Sequence, residues 1–175
     1  MATPEEVKEY MPKIRRIKAL RYLDDIELRA LLAIAEVIAY KKGAKIVTQG
    51  KTGNHFYAVI EGTADVSVSE LQENEIVISS LTEGDTFGEA AMFLKEERTA
   101  SVTATQDAIL MSIARKNLMN FFKSNPNAGV KILLVIVFGL LTKLSNANQE
   151  IAFEKQGDLD FDYVDTLVQD FMEEI

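Results

Sequence analysis

The chain has 175 residues, enough for one domain with a sizeable hydrophobic core. Its composition, 47% hydrophobic and 26% charged residues, is typical of a soluble globular protein and excludes a largely disordered chain. No cysteine is present, which excludes disulfides and thiolate metal sites and fits a reducing compartment. The N-terminal sequence "MATPEEVKEYMPKIRRIKAL" lacks the apolar core of a signal peptide, so we expect a cytoplasmic protein.

The negative charge of the chain is concentrated at its C-terminus. The net charge is −8, and residues 154–175 contain eight acidic residues against Lys155 alone. We therefore expect a main domain over residues 1–153 and an acidic extension over residues 154–175. An acidic terminus repels phosphate backbones, so nucleic acid is not an expected partner.

The N-terminal segment, residues 4–39, is predicted to be helical. Asp24 and Asp25 precede a run in which apolar residues recur with helical spacing, so either could cap the start of a helix. The sequence "KKGAK" is predicted to end this helical region at Gly43, because glycine is common just past the end of a helix.

Residues 45–113 have the composition and turn spacing typical of short strands. Segments rich in Val, Ile, Phe and Tyr alternate with glycine-containing turns such as "QGKTGN", "EGT" and "TEGD". The stretch "HFYAVIEGTADVSVS" is predicted to form a hairpin that turns at Gly62. The expected fold class is therefore mainly β with flanking helices, an antiparallel β-roll or jelly-roll barrel.

Helix is predicted again over residues 115–150. "RKNLMNFFKSNP" should form a helix that ends near Pro126, followed by a long helix over residues 127–150. The most apolar run, "ILLVIVFGLL" over residues 132–141, has too few residues for a bilayer, which needs about 20. A buried helix or a helix–helix interface is the better interpretation, and no membrane is expected.

The last residues suggest an amphipathic helix with an acidic face. Leu159, Tyr163, Leu167 and Phe171 recur every four residues. This stripe over residues 159–171 could bind a protein partner or could pack onto its own domain.

The stretch "FGEAAMFLKEERTASV", residues 87–102, contains groups suited to a phosphorylated sugar. Gly88 permits a close backbone approach, and a short helix starting at Glu89, Ala90 and Ala91 would present unpaired amides to an anion. Arg98 can donate two parallel hydrogen bonds to phosphate, and the acceptor-only Glu89 suits a sugar hydroxyl. Alternatively, Arg98 pairs with Glu96 or Glu97 on a solvated loop, and Glu89 is an exposed helix start.

This stretch resembles the phosphate-binding cassette of cyclic nucleotide-binding domains. The family pattern is Phe-Gly-Glu, small apolar residues, then Arg-(Thr, Ala or Ser)-Ala. The chain matches it at Phe87, Gly88, Glu89, Ala91, Arg98, Thr99 and Ala100. The earlier sequence "KKGAKIVTQGKTGNHFYAVIEGTADV" resembles the glycine-punctuated first strands of the family, with Gly43, Gly50, Gly53 and Gly62 in place. The likeness spans residues 15–150.

The resemblance implies a role for each matching residue. Glu89, helped by the Gly88 backbone, would accept from the ribose 2′-hydroxyl, and Arg98 would bind the exocyclic phosphate oxygens. The amides of Ala91 and Thr99 would complete the phosphate cradle. Val66 and Ile78 fall where the family lines its base pocket, although both could be plain barrel core. Thr99 could also bond a guanine in the syn form, so the ligand is cAMP or cGMP.

The resemblance also assigns the helix over residues 127–150. This helix would cover the binding site as a lid and, as in the bacterial regulators of the family, would form the interface of a homodimer. Thr142, Ser145, Asn146 and Asn148 lie where the lid would reach the base, although each could simply be solvated. The bacterial transcription factors of this family continue into a helix-turn-helix. Here the lid helix is followed by residues 151–175, which are rich in acidic residues, so DNA binding is not expected.

Three functions follow from these observations. The first is a regulatory module that binds cAMP or cGMP and signals through the lid helix to a partner protein or a dimer. The second is a β-roll kept as a ligand-free interaction or dimerisation scaffold, against which the intact Glu89 and Arg98 count. The third, a metal enzyme of the cupin type, is disfavoured because His55 is the single histidine; no metal, other cofactor or catalytic residue is expected.

Overall fold

The computed structural model describes residues 4–70, 74–93 and 97–152. Within these residues a helical N-terminal region is followed by strands interrupted by one short helix, and then by two C-terminal helices. The helices are α1 (Pro4–Ile14), a 3₁₀ helix (Lys18–Leu20), α2 (Asp25–Leu32), α3 (Ala90–Phe93), α4 (Arg115–Ser124) and α5 (Pro126–Ala152). The strands are β1 (Glu36–Tyr40), β2 (Lys45–Val47), β3 (His55–Glu61), β4 (Ala64–Glu70), β5 (Asn74–Leu81), β6 (Thr86–Phe87), β7 (Ser101–Ala104) and β8 (Ala108–Ala114).

The strands form two antiparallel sheets, which confirms the predicted fold class. The first sheet has the order β1-β8-β3-β6 and the second the order β2-β7-β4-β5. Buried residues from both sheets form one core cluster, so the sheets pack face to face as a roll. This cluster comprises Val47, Val59, Ala64, Leu81, Phe87, Val102 and Leu110.

The helices cover the other face of the first sheet. In β3, Phe56, Ala58 and Ile60 belong to the helical core cluster, whereas Val59 belongs to the cluster between the sheets. This strand is buried on both faces, which explains its nearly continuous apolar sequence. The side of the roll that carries the helices is therefore rigidly packed.

The start of α2 confirms the predicted cap. Asp24 accepts hydrogen bonds from the amides of Ile26 and Glu27, and the Glu27 carboxylate accepts from the Asp24 amide, which completes a capping box. Asp25 is the first helical residue. The cap fixes where α2 begins, and hence the direction from which it enters the core.

The helical prediction over residues 36–39 is wrong. These residues belong to β1, which pairs in register with β8 from Glu36 opposite Ser112 to Tyr40 opposite Ala108. The β-branched Val37 and Ile38 and the aromatic Tyr40 in "EVIAY" suit a strand, and β8 supplies the hydrogen-bonding partner that a local pattern cannot reveal. Gly43 accordingly ends no helix; it has φ of 84° in the turn between β1 and β2.

The hairpin predicted at Gly62 is only half correct. The chain does reverse there, with φ of 85° at the glycine. However, β3 pairs with β8 and β6, whereas β4 pairs with β5 and β7. Gly62 is therefore the point at which the chain passes from one sheet to the other. A Cβ atom there would lie 2.5 Å from the Asp107 carbonyl oxygen.

The two C-terminal helices lie where they were predicted, and α5 is only partly buried. Ala128, Ile132 and Ile136 are in the helical core, and Lys131 pairs with Glu27 of α2 at 2.9 Å. Four large residues further along are exposed, namely Val137, Leu140, Leu141 and Leu144. The acidic extension and the 159–171 stripe lie outside the described residues.

The apolar part of α5 is longer than the sequence run suggested. The segment Pro126–Ser145 has the length and composition of a membrane span, and 22% of it is buried within the domain. Core helices of soluble proteins meet the same two criteria. The burial of Ala128, Ile132 and Ile136 shows that one face of this segment packs against the domain.

Candidate functional site

A cavity of about 320 Å³ opens between the second sheet and the segment that follows β6. This volume lies at the lower end of the range for small-molecule sites. Its apolar wall includes Val47, Val66, Leu81, Phe87 and Val102 from the strands. Its polar wall is formed by residues 88–90, residues 97–100 and Lys143 of α5. The cavity thus has one side suited to a flat apolar group and one suited to charged or hydroxyl groups.

The backbone of Arg98 is fixed by the turn that follows β2. The Arg98 amide donates to the Lys51 carbonyl oxygen, and the Gly50 amide donates to the Arg98 carbonyl oxygen, both at 2.9 Å. Its guanidinium donates to the His55 carbonyl oxygen at 2.8 Å. Arg98 is therefore held by three hydrogen bonds to main-chain atoms and is half-buried, and it forms no ion pair with Glu97; Glu96, the other partner in the alternative interpretation, lies outside the described residues.

The charge of Arg98 is partly desolvated. Burial lowers the pKa of the guanidinium, and the nearby Tyr57 and Glu89 raise it in part. An arginine still carries its charge at neutral pH, so the cavity contains a half-buried cation. A guanidinium has five N–H donors, and the bond to His55 uses one of them. The others can bind an anion in the cavity.

Two glycines make room for this guanidinium. A Cβ atom on Gly53 would lie 2.2 Å from Nε of Arg98, and one on Gly88 would lie 2.8 Å from its Nη1. Gly88 also has φ of 81°, a conformation that side chains other than glycine rarely adopt. Both glycines are therefore required by the position of one arginine side chain.

Glu89 faces inward from the end of β6. Its side chain is only 12% exposed, so it is not the exposed helix start that was the alternative interpretation. Its Oε1 atom accepts from Lys143 Nζ at 3.2 Å and lies 3.4 Å from the Thr86 hydroxyl. The carboxylate is thus oriented by one residue of β6 and one residue of α5.

Aromatic packing fixes the strand that leads into the site. Phe87 of β6 pairs in register with Tyr57 of β3. Their rings stack with centroids 4.9 Å apart and an interplanar angle of 11°. Because Phe87 is buried beneath the cavity, the following Gly88 and Glu89 are presented at its edge. The helix expected to start at Glu89 begins at Ala90.

Most residues singled out from the sequence meet at this cavity. It is lined by Val66, Ile78, Phe87, Gly88, Glu89, Ala90, Arg98, Thr99 and Ala100. Ala91 lies in α3. Ile78 is 57% exposed, so it is a residue of the cavity rim and not the plain barrel core of the alternative interpretation. Val66, which is half-buried, packs against the core between the sheets while also lining the cavity.

Of the residues expected to reach the base from α5, Thr142 and Ser145 do not line the cavity. The Thr142 hydroxyl donates to the Phe138 carbonyl oxygen of its own helix at 3.0 Å. Ser145 follows on the same helix and is not part of the cavity wall, whereas the side chains of Asn146 and Asn148 lie outside the described part of the chain. Among the α5 side chains that the structure describes, Lys143 lies in that wall, and a sequence search for neutral base-reading groups missed it. The His55 carbonyl group was also missed, because any residue type can supply a main-chain contact and the sequence therefore does not indicate it.

The family model for the cyclic nucleotide-binding domain matches residues 37–125. This match covers the strands, the cassette and α4. The chain therefore belongs to the cyclic nucleotide-binding domain family, and the antiparallel roll with its cavity is the fold of that family.

Two curated relatives illustrate the relationship. The chain is 33% identical over 95 residues to a cGMP-dependent protein kinase of Eimeria tenella, covering 54% of this chain and 9% of the kinase. It is 29% identical over 126 residues to a cGMP-dependent protein kinase of Plasmodium berghei, covering 69% of this chain and 14% of that protein. The chain thus corresponds to a small part of these curated relatives.

A solved structure gives the fold comparison. The cyclic nucleotide-binding domain from Methylobacillus flagellatus superposes with a TM-score of 0.74 at 18% identity, covering 87% of this chain and 88% of that one. At this identity the likeness concerns the fold alone.

Proposed function

We propose that the domain binds cAMP or cGMP in the cavity beside the cassette. The observation that carries this proposal is that Glu89 and Arg98 line one cavity whose opposite wall is apolar. Arg98 would bind the cyclic phosphate with the donors left free by the His55 carbonyl, helped by the amides of Ala91 and Thr99. Glu89 would accept from the ribose 2′-hydroxyl, because a carboxylate can only accept.

The apolar wall would hold the base. Val66 and Ile78 lie on that side, and both present aliphatic surface to a flat ring. Thr99 lines the cavity and is exposed, so its hydroxyl is available to a ligand. The two curated relatives are cGMP-dependent protein kinases, which favours cGMP by analogy, and cAMP is the alternative that the binding test decides.

We further propose that occupancy of the cavity is transmitted through α5. One end of this helix is packed in the helical core, and Lys143 near the other end contacts the cassette. Ligand binding at Glu89 would therefore alter the contact with Lys143 and so shift the position of α5, whose other end is anchored in the helical core. The output would be regulatory and not catalytic, with a protein partner or a second copy of the chain as its receiver.

The second copy would bind the exposed face of α5. Val137, Leu141 and Leu144 are spaced by four and three residues, which is the spacing of a helix–helix seam, and Leu140 adjoins them. A contiguous exposed apolar face of this kind is typical of an interaction site.

Calorimetric titration of the wild type, Arg98→Ala and Glu89→Gln with cAMP and cGMP tests the binding proposal. Arg98→Ala removes a charge-assisted, bidentate contact worth about 3 kcal/mol, so affinity should fall about a hundredfold or more. Glu89→Gln should weaken binding less, because an amide oxygen still accepts from a hydroxyl. Since Arg98 is half-buried, its loss should also lower stability slightly.

Arg29→Ala provides the matched control. Arg29 is exposed on α2, away from the cavity, so its removal changes the net charge equally without changing affinity. Wild-type affinity in Arg98→Ala would overturn the phosphate assignment. Failure of the wild type to bind either nucleotide at millimolar concentration would favour the ligand-free scaffold instead.

A further inference from the structure

Lys143 is the α5 residue that lines the cavity among the described residues, and its contacts suggest more than lid closure. Its Nζ lies 3.2 Å from Oε1 of Glu89. The lysine side chain is 61% exposed, whereas that of Glu89 is 12% exposed. The solvent-exposed ammonium thus contacts a nearly buried carboxylate in the wall of the cavity.

The charges of the cavity explain why a cation is needed at this position. Glu89 places a negative charge in the cavity that must accept a monoanionic diester, and like charges repel strongly where water is displaced. Lys143 offsets this charge, so that Arg98 remains free to attract the phosphate. Glu97 also lines the cavity, but it is exposed and its charge is screened by solvent.

The hydrogen-bonding capacity of the pair leaves room for a third group. An ammonium has three donors, and Glu89 takes one of those of Lys143. A carboxylate accepts about four hydrogen bonds, and those from Lys143 and Thr86 both fall on Oε1. A hydroxyl donates one bond and accepts others. A sugar hydroxyl that donates to the Glu89 carboxylate would therefore lie within reach of the free donors of Lys143.

From this geometry we propose that Lys143 is a second binding residue for the ribose 2′-hydroxyl: its ammonium donates to the 2′-oxygen while Glu89 accepts the 2′-hydroxyl proton. This inference rests on the proposed binding of a cyclic nucleotide in the cavity. It makes α5 part of the ribose site, and it assigns to Lys143 part of the selection of ribose over deoxyribose. The helix would then be held over the cavity by the ligand itself.

The test is a binding cycle between one side chain and one ligand hydroxyl. Calorimetry would measure the affinity of the wild type and of Lys143→Met for the tighter-binding of cAMP and cGMP, and for its 2′-deoxy analogue. Methionine keeps the length and the helix preference of the side chain without its charge. We expect the variant to bind the ribonucleotide about tenfold more weakly and the 2′-deoxy analogue less than about threefold more weakly.

Two further variants serve as controls. Lys123→Met removes an equal charge from an exposed site on α4 and should leave both affinities unchanged. Lys143→Arg restores a donor and should recover most of the preference for the ribonucleotide. Thermal unfolding of each free variant establishes that the domain remains folded.

The possible failures are distinct. Tighter binding by Lys143→Met would show that the lysine blocks Glu89, and an unchanged preference for the 2′-hydroxyl would show that it acts by charge alone; either result overturns the inference. Both leave the proposed function standing, provided that Arg98→Ala still loses affinity. If the wild type binds neither nucleotide, the proposed function and this inference fail together.

Discussion

At the scale of single residues, the position of the Arg98 side chain depends on a main-chain carbonyl group and on two glycines. The His55 carbonyl oxygen accepts from its guanidinium, and Gly53 and Gly88 leave the space that it occupies. Gly53 is the more informative of the two glycines, because its φ lies outside the left-handed region. Adding a methyl group there changes the space around Arg98 without straining the backbone.

Gly53→Ala should therefore lower nucleotide affinity and change stability little. The added Cβ would lie within 2.8 Å of Nε, Nη2 and Cζ of Arg98, so the guanidinium must move away from its place beside His55. We expect an affinity loss of about tenfold, with a change in unfolding free energy below about 1 kcal/mol. Calorimetry and urea unfolding measure the two quantities.

The neighbouring Asn54 supplies a control, since Asn54→Ala alters the same loop at a solvent-exposed position. In an Arg98→Ala background, Gly53→Ala should have no further effect on affinity, because the two changes act through one contact. An additive effect in the double variant would show that Gly53 acts independently of Arg98.

At the scale of elements, the turn before β6 is tied to both neighbouring layers. The Gly84 amide and the Asp85 carbonyl oxygen exchange hydrogen bonds with Val59 of β3, and the Lys18 amide of the 3₁₀ helix donates to the Gly84 carbonyl oxygen. The Asp85 carboxylate accepts from Lys18 Nζ at 2.8 Å and from the amide and hydroxyl of Thr82. This carboxylate therefore joins the N-terminal helical layer to the strand that leads into the cassette.

Asp85→Asn should destabilise the domain in a pH-dependent way. Burial raises the pKa of Asp85, but the bonds from Lys18 and Thr82 outweigh it and hold the pKa below its ordinary value. A carboxyl with a lowered folded-state pKa stabilises the fold above its unfolded pKa, about 3.9, and loses that contribution as pH falls through the folded value. The expected cost at pH 7 is about 1 kcal/mol.

Urea unfolding of the wild type and Asp85→Asn from pH 7 to pH 3 measures this difference. The gap between the two proteins should be largest at neutral pH and should narrow below about pH 4. The ion pair of Lys41 and Asp107 is solvent-exposed. Urea unfolding of Asp107→Asn therefore measures, for comparison, the stability lost when an exposed aspartate contact is removed. A gap for Asp85→Asn that stays constant with pH would contradict the role assigned to its charge.

At the scale of the whole molecule, α5 connects the packed side of the roll to the cavity and to an exposed apolar face. Lys131 is paired with Glu27, Ile132 and Ile136 are in the core, and Lys143 reaches Glu89. Beyond Ile136, the exposed side of the helix presents aliphatic residues. One helix thus combines an anchor, a ligand-facing residue and a surface for a further molecule.

The dimer proposal predicts that Leu141→Glu weakens self-association. In a symmetric helix pair this change would place like charges near each other in an apolar seam, and the dimer dissociation constant should rise at least about tenfold. Sedimentation velocity of the free and nucleotide-bound protein measures the association. Ile26→Glu is the control, because Ile26 is also an exposed apolar residue, at 81% exposure, but lies on α2.

A wild type that stays monomeric at high micromolar concentration would contradict the dimer proposal. Association with lipid vesicles instead of a second copy would assign the exposed face of α5 to a membrane. An unchanged dimer in Leu141→Glu would place the contact elsewhere on the domain.

The sequence by itself determined those features of this protein that depend on local chemistry. The capping box at Asp24, the strand-rich middle with its inserted helix and the two C-terminal helices each follow from residues close together in the chain. The residues of the cassette also lie close together within "FGEAAMFLKEERTASV"; their types alone left a solvated loop as an alternative, and the resemblance to a known family favoured a binding site. Helix capping and backbone preference depend on residues that are neighbours in the chain, so a short segment of sequence is enough to predict them.

Only the tertiary structure decided what depends on distant partners. Residues 36–40 are a strand because β8, far along the chain, pairs with them, and Gly62 passes the chain between sheets instead of closing a hairpin. Lys143 meets Glu89 because α5 brings it to the residue that follows β6, although 54 residues separate the two in sequence. The physical reason is that sheet pairing and side-chain contact are set by packing across the domain, which the local pattern of residues does not encode.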